Sequence, residues 1–316
     1  MRPFRFIYSG ASNGFVNMAM DEAVLTELQH KRSTPLLRIY KWIPPTITIG
    51  YFQPARDIDF DRCREDGIGI VRRLTGGRAV LHNEELTYSI LFTNEDFQPF
   101  RKKELFTFIA RCLLDSLKSL GISSRIAEKS RGDLKSADCF AAPAQFEIEA
   151  TEGKPPWEKN NPGEGKPPWG KDNPGEGKPP WGKDNPGEGK PPWGKNNPGE
   201  GKPPWGKDNP GEGKLIGSAQ VIKDGVVLQH GAIPLTGSYT AISKYLKGVG
   251  GSAKNASSLH RASGLKIGEH DLLRALKQGF GGHLRLEEGA FTGREEEKTL
   301  TLAKEKYPSD EWMFLR

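Results

Sequence analysis

The residues best equipped for chemistry fall in a few short stretches. Cys139 sits in SADCFAAPAQ, among small residues and a proline, between segments that read as regular elements. That setting presents a thiol rather than packing it, so Cys139 reads either as a nucleophile or as an ordinary connecting cysteine. A reactive thiol needs a neighbouring cation or base to favour its thiolate. Lys214, opening KLIGSAQ, offers the cation, and Lys154 occupies the same place in a repeat register sixty residues earlier. RRLTGGRAVLH, residues 72–82, supplies Arg72, Arg73, the paired Gly76 and Gly77, Arg78 and His82. Adjacent glycines are costly to order. The backbone there must either turn in a way that a side chain would block or be approached closely. His82 and His230, in LQHGAI, each read as a base or as a satisfied structural histidine.

Other chemistry is poorly supported. Cys112 lies on the apolar face of a long helical pattern with Leu105, Ile109 and Leu120, and Cys63 lies in a short helical stretch among charges; both read as structural. The six histidines and three cysteines show neither metal-ligand spacing nor a CxxC pair. TGGR lacks the GK[ST] of a phosphate loop, and no GxGxxG follows a strand.

The elements that must position these groups read as a mixed α/β order. RFIYSG, LLRIYKW, TITIGYF, GIGIV, AVLHNEELTYSILF and SSRIAE read as strands. NMAMDEAVLTELQHK, DFDRCRED and KELFTFIARCLLDSLKSLG read as helices, with Gly121 as a C-terminal cap. Without a regular βαβ alternation, the class is α+β. Residues 152–211 are different: five copies of a twelve-residue unit, EGKPPWGKDNPG and close variants, holding 15 of the 24 prolines and five of the seven tryptophans. One large apolar side chain per unit and its many prolines favour an expanded, disordered insertion over a packed solenoid. An array of Trp/Pro docking sites is the alternative. QFEIEA before it and KLIGSAQVI after it read as the arms of a β-hairpin whose turn was expanded by duplication. With the sixty repeat residues set aside, Lys214 follows Cys139 by fifteen positions, and 256 residues remain, arranged as one domain over 1–151 and 212–316.

The net charge is +6 and the isoelectric point about 9.0. No basic run, aromatic-interleaved basic patch or zinc-finger spacing accompanies that charge, so nucleic acid is not the expected partner. MRPFRFIYSG lacks a secretory apolar region and no stretch reaches membrane-spanning length, so a cytoplasmic protein is expected.

Four blocks in order resemble one superfamily: NMAMDEA, PPTITIGYFQ, VRRLTGGRAVLHNEELTYSI and KLIGSAQ with LQHGAI. They are similar to the lipoate–protein ligases and octanoyltransferases, which share a fold with biotin ligases. Two details point to the LipM-type octanoyltransferases: Arg78 replaces the third glycine common in ATP-dependent ligases, and Cys139 in DCFAAP matches that group's acyl-accepting cysteine. The sixty-residue repeat departs from the family pattern.

The resemblance implies a biotin/lipoate protein ligase-like fold and a two-step acyl transfer. Cys139 takes the octanoyl group from octanoyl-acyl carrier protein as a thioester. A lysine of a lipoyl-dependent protein, typically the glycine cleavage H protein, then receives it as an amide. No metal or resident cofactor is implied, since the phosphopantetheine arrives on the carrier. Lys214, or Lys154 in its place, would lower the thiol's pKa. Gly76 and Gly77 would let the backbone lie along the acyl chain. Arg72 and Arg73 would anchor their loop or contact the phosphopantetheine, and Arg78, His82 and Gly217 complete the substrate-binding set. The rival activities are ATP-dependent lipoate ligation, which needs no cysteine, and a non-catalytic scaffold on which the repeats dock a partner.

Overall fold

The computed structural model describes residues 2–127, 147–151, 213–247 and 256–315. The repeats, Cys139 and Lys154 lie outside the described residues. In chain order the elements are β1 (Phe4–Ser12), α1 (Gly14–Gln29), β2 (Leu36–Trp42), β3 (Thr46–Ile49), α2 (Phe60–Glu65), β4 (Gly69–Arg72), β5 (Val80–His82), β6 (Glu85–Thr93), α3 (Lys102–Ser119), β7 (Ser124–Ile126), β8 (Ile148–Ala150), β9 (Gly213–Lys223), β10 (Val226–Pro234), α4 (Leu259–Ser263), α5 (Glu269–Gly281), β11 (Leu286–Glu288), α6 (Gly293–Glu305) and α7 (Asp310–Met313). Eight strands form one sheet in the order β11-β1-β2-β6-β10-β9-β8-β7, and β4-β3-β5 form a second. β1 runs parallel to both neighbours, whereas β2, β6, β10 and β9 are successively antiparallel. The fold is thus α+β with mixed sheets.

The period-two alternation of the central strands assigns the two faces different work. Leu37 and Ile39 of β2 and Leu86, Tyr88, Ile90 and Phe92 of β6 pack with Leu105, Ile109, Cys112 and Leu113 of α3 and Leu272, Leu276 and Phe280 of α5. Their alternates face α1. At one end that face is apolar, with Leu36, Leu91, Val226 and Leu228 against Val24, Leu25 and Leu28. One register step further along, the same face turns polar.

Local chemistry sets the element ends. Asn13 caps α1 by accepting from the Val16 amide at 3.0 Å. Gly121, at φ 73°, closes α3: its amide reaches the Lys118 carbonyl and that of Ile122 the Leu117 carbonyl, two carbonyls left open at a helix end. The strand expected over TITIGYF stops at Ile49. At Gly50 the chain passes so close to Gly77 that a Cβ would lie 1.9 Å from the Gly77 carbonyl oxygen. The arms flanking the repeats, β8 and β9, pair antiparallel with Glu149 opposite Lys214 and Ala150 opposite Gly213.

Candidate active site

Three neighbouring strands build the polar row. Arg38 of β2, Ser89 of β6 and His230 of β10 are direct cross-strand partners, Arg38 with Ser89 and Ser89 with His230. Asp21, from α1, closes over them. Its Oδ1 accepts from Arg38 Nη1 and from Ser89 Oγ, both at 2.9 Å, and its Oδ2 accepts from the Tyr40 hydroxyl at 3.3 Å. Asn17, one turn earlier, accepts from Arg38 Nη2 at 2.6 Å. Burial alone would raise the Asp21 carboxyl, but His230, Arg38 and Ser89 together outweigh it and hold the group below the usual carboxylate range.

The next step along the strands opens into a cavity of about 230 Å³. Drug-sized pockets begin at about 300 Å³, so this volume suits a slender ligand. Met18, Tyr40, Trp42, Val80 and Ala232 give it apolar walls, while Thr48, Arg73, His82, Glu147 and His230 give it polar ones.

Arg73 organises the loop that roofs the cavity. Its Nη2 donates to the carbonyls of Gly76 and Arg78 at 2.9 and 2.8 Å, and its Nη1 donates to the Thr48 carbonyl and hydroxyl, both at 3.1 Å. Gly77 takes a positive φ of 97°, and a Cβ there would lie 2.8 Å from Arg73 Nη2. The loop's wrap around Arg73 and the close pass of Gly50 account for the second glycine of the pair. A Cβ at Gly76 would meet nothing within 4 Å among the described residues.

Two histidines border the cavity. His82 bonds Glu85 Oε1 through Nδ1 at 2.6 Å and Thr48 Oγ1 through Nε2 at 2.9 Å, and Trp42 stacks on its ring at 4.2 Å. His230 bonds Thr75 Oγ1 through Nε2 at 2.6 Å. Its Nδ1 stands 3.6 Å from Asp21 Oδ2, an electrostatic contact beyond hydrogen-bond length. Burial pushes the His230 imidazole below its ordinary value, and Asp21 opposes the shift without cancelling it.

The cavity wall therefore holds five of the expected substrate-binding residues: Arg73, Gly77, Arg78, His82 and Gly217. Arg72 and Gly76 lie outside it. The Arg72 side chain points into the protein, where its guanidinium donates to the carbonyls of Gly50, Tyr51, Gln53, Trp312 and Met313. Of the two roles expected for Arg72, these contacts fit the anchor. The Lys214 side chain is fully buried and donates to Glu147 Oε1 at 2.6 Å. Glu147 lines the cavity, so the lysine reaches its wall through that carboxylate. Cys63 and Cys112 are packed in the core, and burial, followed by nearby aspartates, pushes their thiols up to about 11 and about 12.

The chain aligns along its whole length with curated octanoyltransferases. It is 30% identical over 334 residues to the octanoyltransferase LipM of Kyrpidia tusciae, covering 99% of both chains. It is 31% identical over 330 residues to that of Bacillus cereus, covering 98% of this chain and 97% of the relative. This chain belongs to the LipM octanoyltransferase family. The wider family model of the lipoyl protein ligase A/B catalytic domain matches residues 13–149. Among solved structures, a lipoate-protein ligase A bound with ATP superposes with a TM-score of 0.68 at 21% identity, covering 99% of each chain. A bi-partite lipoate protein ligase of Thermoplasma acidophilum, solved with its E2 lipoyl domain, gives 0.68 at 20% identity, covering 100% of this chain and 98% of that one. These structures show the chain's fold.

Sequence patterns singled out few of the residues that hold this site together. Asp21, Arg38, Thr48, Glu85, Ser89 and Glu147 carry its hydrogen bonding, yet none belongs to a spacing that signals chemistry. A physical signal exists for two of them. Arg38 interrupts the apolar strand LLRIYKW and Asp21 an apolar helix, and buried charges must find one another.

Proposed function

We propose that the chain transfers an octanoyl group from octanoyl-acyl carrier protein to a lysine of a lipoyl domain, through a thioester on Cys139. End-to-end similarity to curated octanoyltransferases carries this reading. The slender, largely apolar cavity supports it. Burying the six methylenes of an octanoyl tail is worth about 5 kcal/mol, at about 0.8 kcal/mol each.

In the first step the Cys139 thiolate attacks the donor carbonyl, a C–S bond forms, and the phosphopantetheine thiolate leaves. One thioester replaces another, so no ATP is required. In the second step the acceptor amine attacks, a C–N bond forms, and the Cys139 thiolate leaves. Exchanging a thioester for an amide makes this step downhill. Arg73 holds the TGGR roof, Arg78 and Gly217 border the acyl site, and the Lys214–Glu147 ion pair stands at its wall. The acceptor is the glycine cleavage H protein or another lipoyl domain. No resident cofactor enters the scheme, and the protein acts in the cytoplasm.

Intact-mass measurement after mixing with octanoyl-acyl carrier protein tests the scheme. An octanoyl adduct is expected on the parent chain and absent from Cys139→Ala. A Cys139→Ser chain that still modifies a lipoyl domain when given free acid and ATP would overturn the thioester route in favour of ligation. No adduct on the parent chain would favour the scaffold.

A further inference from the structure

Both cavity histidines are wired to a single arginine. Arg73 Nη1 donates to Thr48 Oγ1 at 3.1 Å, and that hydroxyl meets His82 Nε2 at 2.9 Å. Arg73 Nε donates to Thr75 Oγ1 at 3.2 Å, and that hydroxyl meets His230 Nε2 at 2.6 Å. A guanidinium only donates. Each threonine therefore accepts from Arg73; at His82 the carboxylate of Glu85, which only accepts, takes the Nδ1 hydrogen at 2.6 Å and leaves Nε2 to accept from the Thr48 hydroxyl. His230 has no such constraint: its Nδ1 has no hydrogen-bond partner among the described residues and stands 3.6 Å from Asp21.

The carboxylates distinguish the two histidines. Asp21 already has the buried Arg38 guanidinium as counter-charge at 2.9 Å, and it stands 3.6 Å from His230. Glu85 lies 2.6 Å from His82, and no lysine or arginine pairs with it among the described residues. Its Oε1 also accepts from Thr87 at 2.7 Å, while its buried Oε2 has no hydrogen-bond partner among the described residues. A proton arriving on His82 is thus compensated by a carboxylate that lacks a cation; one arriving on His230 is not. Burial disfavours charge on His230 as well, and Arg73 and His82 add to that effect.

We infer that Thr48, His82 and Glu85 form a proton relay that deprotonates the acceptor lysine during amide formation. The inference rests on the octanoyl-transfer reading. As the acceptor amine nitrogen bonds to the thioester carbonyl carbon, its N–H proton passes to Thr48 Oγ1, whose own hydrogen moves to His82 Nε2. The C–S bond breaks, Cys139 leaves as thiolate, and Glu85 stabilises the imidazolium until its proton returns to solvent. The groups facing His82 are Thr48 from β3, Glu85 from β6, the stacked Trp42 from β2 and His230 across the cavity, with Arg73 behind Thr48. Arg73 is a positioning residue, since it acts by orienting the hydroxyl.

The test separates the two half-reactions on the full chain, with octanoyl-acyl carrier protein as donor and a lipoyl domain as acceptor. His82→Gln is expected to slow transfer from the Cys139 adduct about 10²–10⁴-fold, the usual range for a general base, and to slow formation of that adduct far less. Added imidazole should restore part of that rate, which a purely structural role does not allow. Glu85→Gln, which keeps the side chain's shape, should slow transfer in the same sense and guards against a misfolded histidine variant. A normal adduct with parental transfer in His82→Gln defeats the relay alone, as does equal slowing of both half-reactions. No adduct on the unmodified chain defeats the transferase reading, and the relay with it.

Discussion

Replacing Asp21 with asparagine probes the charge pair on which the polar row is built. Arg38 is fully buried, and Asp21 is its only carboxylate partner within ion-pair distance among the described residues. Asparagine preserves the shape but strands a buried cation. Breaking a buried pair from one side costs about 3–5 kcal/mol. At about 2–4 °C per kcal/mol for a domain of this size, the melting temperature should fall by roughly 6–20 °C. Urea unfolding at neutral pH measures the loss, and a cycle with Arg38→Met measures the coupling: the double variant should lose less than the sum of the singles. The pH dependence has a definite sign. The folded Asp21 carboxyl lies below its unfolded value of about 3.9, so the stability it contributes is present above that pH and is lost as the pH falls through the depressed folded value. The gap between parent and Asp21→Asn should therefore narrow below about pH 4. A loss under ~0.5 kcal/mol, the size of an ordinary surface change, or additive single variants, would refute the pairing argument.

Four further outcomes are expected. Gly50→Ala should cost about 1–3 kcal/mol, as overpacking does, and should slow octanoyl transfer, because its Cβ would displace the Gly77 carbonyl. Gly76→Ala should leave the melting temperature unchanged, so a fall in its transfer rate would report contact with substrate. Deleting residues 154–213 leaves Lys214 next to Gly153 and should preserve transfer; loss of activity would count against a tolerated insertion. Glu147→Gln should speed iodoacetamide modification of Cys139 and Lys214→Met should slow it, measured by intact mass.

What the sequence disclosed follows from the range of the interactions involved. The apolar, aromatic-rich run LLRIYKW and the helical period of residues 102–119 are local, and both elements appear where those patterns place them. Gly121 as a helix stop is likewise local. TITIGYF misled because the force ending β3 is not local: Gly50 must admit Gly77, 27 positions along the chain. Which of its two expected roles Arg72 takes was hidden for the same reason. Two adjacent arginines look alike in sequence, yet β4 turns one toward the carbonyls of Trp312 and Met313 and leaves the other to wrap the glycine loop over the cavity. Glu85 and Thr48 fell inside blocks that resemble the family, yet nothing singled them out, because their importance comes from a histidine that folding brings between them.

The ion pair at the cavity wall changes how Lys214 can help a thiol. An isolated ammonium lowers a neighbouring thiol's pKa simply by its charge. Lys214 is not isolated: its Nζ is 2.6 Å from Glu147 Oε1, and both side chains are buried. Such a pair has no net charge, and its effect on a third group depends on which end that group approaches. A thiol nearer Nζ is favoured as thiolate; one nearer the carboxylate, which is the end that lines the cavity, is disfavoured. The assistance proposed for Cys139 therefore requires its sulfur to approach from the β9 side, or Glu147 to be drawn away as the acyl donor enters. In either case the proposed thioester route has Glu147 oppose the lysine, and neutralising that carboxylate should release the lysine's full influence.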